Sequence, residues 1–132
     1  MLRLPVDERF AYDPRQNLFF VNFERLPVRS KNDIRALKEA AEKKLVPIGR
    51  KVYAIVNYDN FSISPELLDE YSAMVRGLVD RYYSGVSRYT TSGFLRMKLG
   101  ESLERRGVAP HIFESAAEAQ SDLRRLEKGD RG

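Results

Sequence analysis

The run KVYAIVNY, Lys51 to Tyr58, limits the possible folds of this 132-residue chain more than any other stretch. Apart from Ala54 its apolar residues are β-branched or aromatic, and they do not alternate with polar ones, which marks a buried central strand. Helical patterns flank it on both sides. Before it, Ile34, Leu37, Ala41 and Leu45 repeat at helical spacing. Ser30 is placed to cap that helix, Asp33 lies in its first turn, and "PIG" ends it. After it, the polar loop DNFSIS leads to Ser64-Pro65-Glu66, a helix start with proline where a free N–H is not missed. Leu67, Leu68, Tyr71, Met74, Val75, Leu78, Val79 and Tyr82 then form one unbroken core stripe.

The remaining segments continue the alternation. RFAYD and NLFFVNF, joined by the turn residues PRQN, predict a hairpin at the start. GVSRYT predicts a further strand, followed by a helix whose buried face is Phe94, Leu95, Leu99 and Leu103. APHIFE is a short last strand, and Ser115 with Glu118 forms a capping box for a helix bearing Ala116, Ala119, Leu123 and Leu126. The predicted order is β-β-α-β-α-β-α-β-α. It implies an α/β fold: a mostly parallel sheet of about five strands, an antiparallel edge strand, and helices packed on the sheet. The whole chain, 1–132, reads as one domain with flexible ends at 1–8 and 127–132.

Composition narrows the function. There is no cysteine, which excludes a thiolate metal site and a cysteine nucleophile and fits a cytoplasmic protein. The net charge is +4, but the basic residues are mixed with acidic ones, as in RALKEAAEKK and SDLRRLEKGD. They read as solvated helix faces, so nucleic acid is not an expected partner. MLRLPVDERF lacks the apolar core of a signal peptide, and no apolar run is long enough to span a membrane.

His111 is the sole histidine and precedes a predicted strand, so a metal cluster is not expected. No phosphate-binding glycine loop or nucleophile elbow is present, and no cofactor is expected. Glu24 and Asp59 read as exposed loop carboxylates, and no catalytic residue is assigned. In an open α/β sheet, ligands gather beyond the carboxyl ends of the strands. The candidate binding residues there are Asn57, Tyr58, Asp59 and Asn60 after the central strand. Arg88, Tyr89, Thr90, Thr91 and Ser92 follow the next strand. The asparagines and Asp59 either close a turn or form a binding lip. The three hydroxyls exceed what a helix cap needs, Arg88 could hold a phosphate or carboxylate, and Gly93 would let another backbone approach.

The hydroxyl-rich TTSG opening the helix FLRMKLGESLERRG, followed by a short strand and ESAAEAQSDL, resembles the SpoIIAA-like (STAS) fold of anti-sigma-factor antagonists. In that family an Asp-Ser-Ser-Gly turn stands here and its second serine is a phosphorylation switch. The resemblance implies that Ser92 is the equivalent serine and Gly93 the glycine, with Thr90 at the aspartate position. More specifically, FVNFE, VNYDNF, SRYTTSGFLRMKLG and RGVAPHIFESAAEA resemble the C-terminal appended domain of bacterial acyl-CoA:acetate/3-ketoacid (propionate-type) CoA transferases. The family's catalytic glutamate belongs to transferase domains without a counterpart in these residues. The resemblance therefore implies a non-catalytic accessory, regulatory or docking module, with transferase domains or a regulatory protein as partner. A phospho-switch acting through protein–protein contact, and a domain binding acyl-CoA, nucleotide or lipid, are the alternatives.

Overall fold

The computed structural model describes residues 5–129. A 3-10 turn at Val6–Arg9 leads into the hairpin of β1 (Phe10–Asp13) and β2 (Leu18–Asn22), with Phe10 opposite Val21. Asp13 closes the hairpin turn by accepting from the Arg15 N–H at 3.0 Å and from the Gln16 amide at 2.9 Å. Asn17 completes it at φ 53°, a conformation asparagine tolerates.

There follow β3 (Pro27–Val28), α1 (Lys31–Ile48), β4 (Val52–Asn57), β5 (Ser62–Ile63) and a 3-10 turn at Pro65–Leu67. The chain ends with α2 (Leu68–Tyr82), β6 (Tyr83–Tyr89), α3 (Gly93–Arg105), β7 (Ile112–Phe113) and α4 (Ala116–Glu127). The main sheet has the order β1-β2-β4-β6-β7, with β1 antiparallel and the other neighbours parallel. This is the expected α/β layout of five strands.

Sheet and helices bury two cores. The larger holds Phe19, Val21, Val52, Ala54, Val56 and Val86 of the sheet against Leu37 and Leu45 of α1, Tyr71 and Leu78 of α2, and Leu99 and Leu103 of α3. The smaller, on the other face, joins Leu18 and Ile55 to Ala119 and Leu123 of α4. Thus β4 is covered on both faces, as its unbroken apolar run requires.

Several local expectations change. Ser30 and Asp33 form a full capping box, but α1 runs through Pro47 and stops at Gly49, φ 75°. Proline in the last turn removes one hydrogen bond without ending the helix at once. The α2 helix begins after a 3-10 turn and Ser64 makes no side-chain cap. No connecting loop separates α2 from β6, which begins at Tyr83. Ser115 caps α4 by accepting from the Glu118 N–H at 3.2 Å, while the Glu118 carboxylate meets the Ser115 hydroxyl at 3.3 Å.

Phe94 was expected in the core and is 69% exposed, whereas Leu95, Leu99 and Leu103 are buried. The second, two-stranded parallel sheet, β3 with β5, was not anticipated. Its strands are too short to carry any periodicity. Of the ends expected to be flexible, 1–4 and 130–132 lie outside the described residues. Val6–Arg9 forms the first turn and Glu127 closes α4.

Candidate functional site

At the carboxyl end of β4 the chain must turn from a buried strand into a polar loop. Asn57 does this by accepting the Asp59 N–H on its Oδ1 at 2.9 Å, and Asn22 does the same for Glu24 at 3.1 Å after β2. These paired Asx turns are why asparagine ends both strands. They are stitched together by Phe23 N–H donating to the Asn57 carbonyl at 2.9 Å and Arg25 N–H to the Asp59 carbonyl at 3.0 Å. Asn60 and Arg25 take left-handed conformations, φ 59° and 58°.

The loop after β6 joins this assembly through one carboxylate. Asp59 Oδ1 accepts from the Thr91 N–H at 2.8 Å, and the Tyr58 N–H donates to the Tyr89 carbonyl at 2.9 Å. Two of the candidate segments therefore form one rim. Within the second, Thr90 is buried and its hydroxyl accepts from the Ser92 N–H at 3.2 Å. Its carbonyl receives Arg96 Nη1 at 2.7 Å. Ser92 caps α3, its hydroxyl accepting from the Leu95 N–H at 3.1 Å. Thr91, Ser92 and Asn60 face solvent. Gly93 is exposed, and among the described residues no second backbone lies within 4 Å of where its Cβ would stand.

Tyr58 and Arg88 lie inside the larger core rather than on the rim. Each is 1% exposed. The Tyr58 hydroxyl bonds the Tyr71 hydroxyl at 2.7 Å. Arg88 Nη1 donates to the Pro110 carbonyl at 2.7 Å and the Ala109 carbonyl at 3.3 Å. Burial raises the pKa of Tyr58, Tyr71 and Tyr83, and the Arg88 charge opposes this in all three. Tyr89 is partly buried, and its phenol is raised first by burial and then by the Asp59 and Glu24 carboxylates.

Sequence reasoning missed two features. Phe94 and Met97, three residues apart, are 69% and 50% exposed beside Thr91 and Ser92. Lys98 Nζ lies 5.9 Å from the Phe94 ring centroid. The signal was available: Leu95, Leu99 and Leu103 already fill one helical stripe, which leaves Phe94 and Met97 on its flank. The second is a buried polar cluster on the α4 side. Asp122 accepts from the Ser87 hydroxyl at 3.2 Å and from Arg125 at 2.9 Å, and His111 Nδ1 lies 3.3 Å from it. An aspartate inside the apolar stripe of Ala119 and Leu123 was its trace in the sequence. The histidine thus helps to seat α4.

No family model, curated protein or solved structure matches the chain.

Proposed function

We propose that this chain is a non-catalytic SpoIIAA-like module that docks through its rim onto an acyl-CoA:acetate/3-ketoacid CoA transferase and regulates or assembles it. The observation that carries the docking reading is the Phe94–Met97 pair, exposed on α3 next to the rim whose two loops Asp59 ties together. Large apolar side chains exposed together beside ordered polar groups are the usual make-up of a protein contact. The connections support a protein over a small ligand. From β2 through β4 and β6 to β7 each crossover steps to the next strand, and α1, α2 and α3 bury side chains in the same core. No reversal of strand order opens the crevice in which doubly wound sheets hold small molecules. The transferase as partner rests on the sequence resemblance.

The test is co-purification with transferase domains and their turnover with and without this chain. The wild type is expected to co-elute and to change the rate. Phe94→Ser combined with Met97→Ser should abolish both while leaving the melting temperature unchanged, because neither side chain is buried. Absence of an interaction, or an unaffected double variant, would overturn the assignment.

A further inference from the structure

We propose that the first half of β6 is a docking edge for an extended acidic segment of a partner protein, at a site separate from the rim. The strand β7 pairs with β6 at Arg88 and Tyr89 alone, so among the described residues no strand lies beside Tyr83–Ser87 on that side, where Ser84 is exposed, Gly85 half-buried and the other three buried. Main-chain groups of alternate residues point to the same edge of a strand. Arg88 N–H donates to the His111 carbonyl at 2.8 Å and Thr90 N–H to that of Phe113 at 3.0 Å. The N–H and C=O of Val86 therefore face the same edge, lower down, where β7 does not reach. One extra residue, Ser84, bulges β6 against β4 just before it.

This edge opens into a groove of about 200 Å³ between α2, the loop after α3 and the end of α4, lined among others by Arg76, Val108, His111 and Leu126. An unpaired strand edge beside a groove is a template for strand addition. By that parity Ser84 and Val86 offer the free main-chain groups, about 6.6 Å apart at about 3.3 Å per residue, enough to pair a short extended segment.

Charge selects the occupant. Arg88 also lines the groove, is 1% exposed, and its Nε has no hydrogen-bond partner. Among the described residues no carboxylate forms an ion pair with it. Asp80, on the groove wall, is already held by Arg76 at 2.9 Å. A buried guanidinium with the carbonyls of Ala109 and Pro110 and the Tyr58 hydroxyl as partners but no counter-ion leaves a positive potential that the low-dielectric surroundings screen poorly. A segment with glutamate or aspartate side chains complements it, and a lysine-bearing one is repelled.

The experiment titrates the isotope-labelled full chain with two short blocked peptides, one alternating valine with glutamate and one alternating valine with lysine. The acidic peptide is expected to shift the backbone amides of Gly85 and Val86 saturably, binding at least roughly tenfold more tightly than the basic one. Ser84→Glu, an exposed substitution at the edge, should weaken the acidic peptide by roughly tenfold without changing the melting temperature. Unmoved amides, or equal binding of both peptides, would overturn the proposal. So would a dimeric free chain whose Val86 amide is protected from exchange before peptide is added, since a second copy would then hold the edge.

Discussion

At the scale of single residues, Asp59 does more than its place in a loop suggests. Its carboxylate is the side-chain link between the loop after β4 and the loop after β6. A hydrogen bond to a charged acceptor contributes about 1.5–3 kcal/mol. Asp59→Ala is expected to lower the unfolding free energy by about 1–2 kcal/mol, since the site is partly solvated, and to speed hydrogen exchange at the Thr91 amide. Asp59→Asn, which keeps an acceptor, should restore most of both. Urea titration and exchange measured on the three proteins check this, and unchanged exchange in the alanine variant would remove Asp59 from its linking role. The turn chemistry of Asn57, Asp59 and Asn60 was legible in the sequence because it is local. The inward direction of Arg88 was not. Strand parity with Val86 points it inward, but the cost of burying a charge argues against reading it so.

Among the elements, α3 divides its apolar residues between two tasks. Leu99 is fully buried between the sheet and α2, and Leu99→Ala is expected to cost about 2–5 kcal/mol through the cavity it leaves. The same measurement on Phe94→Ala should give a change within about 0.5 kcal/mol. A large loss at Phe94 would mean that this ring packs against the fold and is not a free contact surface. The α2–α3 contact carries a buried hydroxyl pair too: Ser72 and Ser102 lie 2.7 Å apart, and Ser102 also donates to the Leu68 carbonyl at 3.1 Å. Long periodic elements such as α1, α2 and β4 were readable because their burial repeats over many residues. The β3–β5 pair and the length of β7 were not, because two-residue strands depend on which loops happen to lie side by side.

Across the whole molecule, the larger core joins elements far apart in sequence through tyrosines: Tyr58 after β4, Tyr71 in α2 and Tyr83 in β6. All three are buried, and burial pushes each phenol above the ordinary value despite the opposing charge of Arg88. An acid whose pKa is raised by folding keeps its proton in the native state after the unfolded chain has released it. The stability these groups confer is therefore complete below about pH 10 and is lost as pH climbs toward the raised native values. Each tyrosine contributes a slope of up to about 1.4 kcal/mol per pH unit in that window. Urea denaturation at a series of alkaline pH values should thus show stability level up to about pH 10 and falling steeply beyond it. Tyr83→Phe keeps the ring and deletes one titrating proton, so it should leave stability below that pH nearly unchanged and make the alkaline fall shallower. An equal slope in wild type and variant would show that Tyr83 ionises alike in the folded and unfolded chain, and that the core does not exclude its phenolate.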